Sequence, residues 1–341
     1  MGAAQAIGSI FAAVARRLRH GPARPSWPFH YDVAVGYVRI LFAREGTVSA
    51  ARKNMDDVPA PGALRGVQTR ERTLGGVRCV EHVSSSPSSS PDERVLVYLH
   101  GGGYCTGSPR SHRPLLGPLT RATGARVVAV DYRRAPEHPC PAAIDDALAV
   151  VRALLDEGVA PARLWLAGDS AGGGLTLTTL VAARDAGLPT IAGAVTLSPW
   201  ADLTAGQRSH HDNVHDYLPV PDRLIAYARA YAGDLALADP RVSPVHADLR
   251  GLPPLLVLVG GAERLHDDGV LVASRAKDAG VDVTLHLEPD EIHVWPMFHP
   301  WSPRAQDAFD RIAAFVERTA GAPAVVARGD AQAVVDVSAA S

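Results

Sequence analysis

The chain has 341 residues, 47% of them hydrophobic, and a formal net charge of −2. That is material for a large core with a further structural unit, and the near-neutral charge gives no electrostatic footing for nucleic acid, which is therefore not an expected partner. Cys79, Cys105 and Cys140 cannot all pair and show no metal-ligand spacing, so a reduced, cytoplasmic setting is expected.

In chain order, Ile7, Ile10, Phe11, Val14 and Leu18 recur at helical spacing around Arg16, Arg17 and Arg19. No basic region precedes this stretch and alanine dilutes it, so neither a signal peptide nor stable membrane insertion is expected. A cap helix, an interfacial helix and a frayed end all fit the pattern. Alternation predicts strands over 67–74 and 77–83, with Gly75-Gly76 as a hairpin turn, then over 94–99, 126–132, 164–168, 192–198, 255–260 and 281–288. Helical runs alternate with the later strands, and Ile144, Leu148, Val151 and Leu155 mark the buried stripe of the helix before strand 164–168. One leading hairpin followed by this alternation predicts an α/β fold, a mostly parallel eight-stranded sheet with helices on both faces. The run Ser84 to Pro91 reads as a surface connection, and the weakly patterned residues 321–341 as a disordered tail.

Two glycine-rich turns carry the chemistry. His100-Gly101-Gly102-Gly103 ends the strand 94–99, and its glycines let backbone N–H groups approach a ligand closely. Gly168-Asp169-Ser170-Ala171-Gly172-Gly173 joins an apolar strand to a run of small and aliphatic residues. A serine at such a turn is held in strained backbone with its hydroxyl presented, which only small neighbours permit. The glycine spacings of phosphate-binding loops are missing. Ser170 is thus the candidate nucleophile. The N–H groups of Gly102, Gly103 and Ala171 are candidate oxyanion donors, with His100 and Asp169 supporting the loop.

A serine hydroxyl needs a base and an orienting carboxylate, which in this topology follow in the order serine, acid, histidine. Glu263 and Asp267 come after strand 255–260 and His293 after strand 281–288, where open α/β sheets build their sites. Among 14 histidines, His293 is chosen by position. His286 falls inside a strand, and His138 lies in a proline-rich stretch where a structural hydrogen bond is expected. His211 and His215 would share a helix face in a metal-ligand pattern, but no second ligand cluster accompanies them, so no metal is expected.

His100 to Gly103, Asp131-Tyr132-Arg133-Arg134-Ala135-Pro136-Glu137-His138-Pro139, the run around Ser170 and His293-Val294-Trp295 together resemble the hormone-sensitive lipase family of α/β-hydrolases, in its bacterial esterase branch. The similarity runs from about Arg94 to about Val316. It implies Ser170 as nucleophile, His293 as general base and Glu263 as acid, where the family more often has aspartate; Asp267 is the competing residue. Arg134 replaces a usual aliphatic residue. The resemblance further implies cap helices over 1–60, a catalytic domain over 61–320 with a second cap segment at 199–225, and no metal or organic cofactor. Short- to medium-chain acyl esters would be hydrolysed through an acyl-enzyme. Tyr104, Trp200 and Trp295, with Phe298, are candidates for the substrate pocket. A lactone hydrolase or an N- or O-deacetylase would use the same residues, whereas a non-catalytic small-molecule binder of this fold would lack one of the three. A homodimer joined through the last strand is an expectation by analogy alone.

Overall fold

The computed structural model describes residues 3–42, 46–85, 93–218, 221–302 and 304–321. Eight strands, β1 (Val67–Leu74), β2 (Val77–Ser84), β3 (Val95–Leu99), β4 (Arg126–Val130), β5 (Leu164–Asp169), β6 (Gly193–Leu197), β7 (Leu255–Gly260) and β8 (Val283–Glu288), form one sheet. Its order is β1-β2-β4-β3-β5-β6-β7-β8. The pairs β1/β2 and β2/β4 are antiparallel, and all other neighbours are parallel, as the alternation predicted. Every residue of β3, β5, β6 and β7 is buried, because a parallel sheet covered on both faces has no solvent side on which polar residues could alternate.

The helices are α1 (Ala3–His20), α2 (Phe29–Phe42), α3 (Val48–Asp56), α4 (Arg113–Thr123), α5 (Ala142–Asp156), α6 (Ala171–Asp185), α7 (Ser209–Asp212), α8 (Pro221–Ala232), α9 (His266–Asp278) and α10 (Ala305–Thr319). Residues of α5, α6, α8 and α9 build the core on one face of the sheet, and those of α2, α4 and α10 the core on the other. The buried stripe of α5 runs through Ala143, Ile144, Ala147, Val150, Val151 and Leu154; the expected Leu148 and Leu155 are only half-buried. The helix rolls because it packs against both α6 and the β1/β2 hairpin. At that hairpin Leu74 faces Val77, and Gly75 (φ +56°) and Gly76 (φ +83°) have the two positive φ angles of a twist-matched turn.

The N-terminal run is helical, with Ile10, Phe11 and Leu18 facing outward. Ser9 and Ala13 are buried, with Ala13 against Gly36 of α2, while Phe11 and Leu18 are 69% and 74% exposed. Arg16 and Arg17 hold Asp32 of α2 at 2.5 and 3.0 Å. Trp27 donates to the Asp290 carbonyl at 2.7 Å, and Tyr31, buried edge-on against Phe298, donates to Glu291. The segment is thereby tied to the loop that follows β8. Among the described residues no helix is long and apolar enough to cross a membrane. Residues 86–91 of the serine-rich connection and 322–341 of the expected tail lie outside the described residues.

Candidate active site

Ser170 sits between β5 and α6 at φ 54°, ψ −123°, a conformation costly to a residue with a side chain. The turn is this tight because a Cβ on Gly168 would lie 2.2 Å from the Gly172 carbonyl oxygen, and one on Gly172 2.0 Å from that of Leu99. Ser170, Gly102, Gly103 and His293 line one cavity of about 750 Å³. Among the described residues the amides of Gly102, Gly103 and Ala171 have no backbone or side-chain acceptor. For Ala171 the reason is its place as first residue of α6, where helix N–H groups are left over.

Asp169 ties this turn to the glycine loop. Its Oδ1 accepts from Tyr98 Oη at 2.7 Å and from the Gly101 amide at 3.0 Å, and its Oδ2 lies 3.4 Å from His112 Nε2. Burial alone would raise the Asp169 pKa, but His112, Tyr98 and the Gly101 N–H outweigh it and hold the carboxyl below its ordinary range. His100 stacks on Tyr132 at 4.2 Å and contacts the Gly101 carbonyl through Nδ1 at 2.9 Å. Arg134 donates to the Gly107 carbonyl, so its charge fastens the return of the loop. Arg52 of α3 spans the Cys105 and Ala135 carbonyls at 2.7 and 2.8 Å and the Glu137 carboxylate, which clamps α3 to the same loop.

His293 Nδ1 lies 3.1 Å from Glu263 Oε2, and Glu263 Oε1 accepts the Gly260 amide at 3.1 Å, with both residues buried. Asp267 instead accepts the Ser209 amide at 3.0 Å. Among the described residues no hydrogen bond joins Ser170 Oγ to His293, although both face the cavity. A second buried carboxylate, Asp216, accepts the amides of Tyr217 (2.8 Å), Arg264 (2.9 Å) and His293 (3.4 Å). Burial would lower the His293 pKa; Glu263, then Asp216 and Asp169, overcome that and raise it. Ser198 Oγ receives the Val294 amide at 2.9 Å and completes the support of this loop. Asp216, Ser198 and His112 carry no local signature; Asp216 directly follows His215 in the second cap segment expected over 199–225.

A model of the α/β-hydrolase fold matches residues 96–297. A solved esterase of the bacterial hormone-sensitive lipase family is 39% identical and superposes with a TM-score of 0.81 over 87% of this chain and 100% of its own. The chain belongs to the hormone-sensitive lipase family of α/β-hydrolases. With that family it is a carboxylic ester hydrolase. An acetyl-hydrolase of Streptomyces hygroscopicus is 46% identical over 67% of this chain and 77% of its own. An esterase of Acinetobacter venetianus is 37% identical over 73% and 82%.

The hydrolase's cavity takes in Trp200 and Phe298 but not Tyr104 or Trp295. Tyr104, at φ +60°, turns inward and stacks on Tyr231 at 3.7 Å; Trp295 is buried in the core and reaches the Arg304 carbonyl at 3.4 Å. Further lining comes from the N-terminal helices, through Val38, Phe42 and Met55, and from Leu218, Leu224 and Tyr227. His286 lies on the edge strand β8, near Glu288. His138 is exposed and, among the described residues, its side chain forms none of the expected hydrogen bonds. His211 and His215 do not share a helix, since α7 stops at Asp212. His210 is instead buried against Asp268 at 2.7 Å.

Proposed function

We propose that this enzyme cleaves short- to medium-chain acyl esters by way of an acyl-enzyme on Ser170. The observation that carries the reading is the convergence on one cavity of the strained serine, the free Gly102 and Gly103 amides and a histidine whose other nitrogen faces a buried carboxylate. His293 Nδ1–H donates to Glu263, which leaves Nε2 to take the Ser170 proton as Oγ attacks the carbonyl carbon. Glu263 stabilises the imidazolium. The N–H groups of Gly102, Gly103 and Ala171 receive the oxyanion, each worth about 10²–10³ in rate. The imidazolium then protonates the departing alcohol, and water repeats the sequence on the acyl-enzyme. Residues of α1–α3 together with 199–225 act as a cap, a reading supported by the side chains that α2 and α3 lend to the cavity.

Hydrolysis of 4-nitrophenyl esters from acetate to palmitate, by the wild type beside Ser170→Ala and His293→Ala, tests this. Turnover of the shorter esters that both variants abolish is expected; turnover surviving Ser170→Ala overturns it. The 46% identical acetyl-hydrolase favours one second reading, removal of an acetyl group from an amide or alcohol by the same residues. Acetate release from an N-acetyl amine, with 4-nitrophenyl butyrate left intact, would favour it.

A further inference from the structure

Away from Ser170, the cavity reaches a wall formed by the loop 58–65, α4 and the turn 297–301. Three basic side chains lie on it, Arg65, Arg121 and His299. Arg121 Nη1 donates to the carbonyls of Ala63 at 3.1 Å and Arg65 at 2.9 Å. A Cβ on Gly117 would fall 1.9 Å from the Ala63 oxygen, so loop and helix are in direct backbone contact, with the exposed Arg65 and Arg121 side chains at the edge of the cavity. Among the described residues neither Arg121 Nη2 nor the Arg65 guanidinium has a hydrogen bond or ion pair.

Among the described residues no carboxylate pairs with Arg65 or with Arg121. Burial and Arg65 push the Arg121 pKa down, burial and Arg121 push that of His299 down against a hydrogen bond with Gln306, and no carboxylate among the described residues contributes to either shift. Asp169 is the one carboxylate among the described lining residues, and it is held by Tyr98, Gly101 and His112. Elsewhere in the molecule arginines gather around carboxylates, as Arg70, Arg72 and Arg126 do around Glu81. Converging like charges cost free energy that an anion recovers, and a planar guanidinium presents paired N–H groups to a carboxylate or phosphoryl oxygen.

We propose that the substrate carries an anionic group, a carboxylate or a phosphoryl group, remote from its scissile carbonyl, and that Arg65 and Arg121 bind it. The inference rests on the ester-hydrolase reading and adds the charge of the substrate.

Its test compares mono-4-nitrophenyl suberate with 4-nitrophenyl octanoate, in wild type, Arg65→Gln and the Arg65→Gln/Arg121→Gln double variant. The wild type should prefer the suberate, and the double variant should lower kcat/KM for it by at least about tenfold while leaving the octanoate within about twofold. Added NaCl should erode only the suberate preference. Arg65→Gln alone retains the Arg121 contacts to the loop, so a loss of preference there is not a collapsed wall. Calorimetric titration of Ser170→Ala with the suberate ester and with octyl phosphate separates the two anion types. Binding of either that the double variant abolishes supports the site even without turnover, so absent hydrolysis sinks the ester reading alone. Equal handling of suberate and octanoate, or arginine-independent binding of both anions, overturns the inference.

Discussion

His293 stands between two carboxylates with different connections. Glu263 meets its ring nitrogen, whereas Asp216 meets its backbone N–H and acts on the ring through charge. Removing the Asp216 charge should lower the His293 pKa, and because the base must be neutral to act, the acid limb of the kcat/KM profile of Asp216→Asn should move to lower pH. Glu263→Gln should cost on the order of 10³–10⁴ in kcat, since the ring loses its orienting partner, while Asp267→Asn should stay within about threefold of wild type. Equal losses in these two variants would contradict the assignment. Glu291 gives a stability prediction at the same scale. Burial, then the Glu288 charge, raises its pKa from 4.5 to about 7 against the opposing effect of Tyr31, Ser302 and Arg304. A carboxyl raised on folding favours the folded state most below its unfolded pKa and loses that contribution as pH climbs through the folded one. Thermal stability should therefore fall between about pH 4.5 and 7, and Glu291→Gln should flatten that slope.

At the scale of elements, tight turns are set by backbone approach. Gly75 has φ +56° and would place a Cβ 2.4 Å from the Ala149 carbonyl oxygen on α5, whereas Gly124, at φ +63°, opens on empty space. Gly124→Ala should cost only the left-handed penalty of about 1–2 kcal/mol, and Gly75→Ala clearly more, read as a larger drop in denaturant midpoint at unchanged m. The hairpin was legible because two adjacent glycines between alternating strands admit few other conformations. The roll of α5 was not, because the same apolar residues serve several contact arcs and the choice falls to α6 and the hairpin.

For the whole molecule, the N-terminal segment joins cavity and core. Val38 and Phe42 of α2 line the cavity, while Trp27 and Tyr31 anchor to the loop carrying His293. Deleting residues 1–46, with α3 and its Arg52 clamp retained, should lower Tm and change the ratio of kcat/KM between butyrate and octanoate esters. Unchanged selectivity in a folded variant would remove the cap reading. Within that segment α1 packs on α2 through Ala13 and shows Phe11 and Leu18 to solvent, so its effect on the cavity would be carried by α2.

What the sequence determined by itself was local and repetitive. The period of each strand, the glycines at 75, 76, 168 and 172 and the chain order of Ser170, Glu263 and His293 are properties of neighbouring residues or of the sheet's progression, and they were read with the fold class from spacing and resemblance. Tertiary structure decided which side chains meet across long separations. Tyr31 and Glu291 are 260 positions apart and Asp216 and His293 are 77 apart, and no periodicity links them. It also sent Tyr104 and Trp295 into the core and left Arg65 and Arg121 on the cavity wall. The physical reason is that backbone sterics and hydrophobic period act within a few residues, whereas burial, field and pocket shape arise only when distant elements pack.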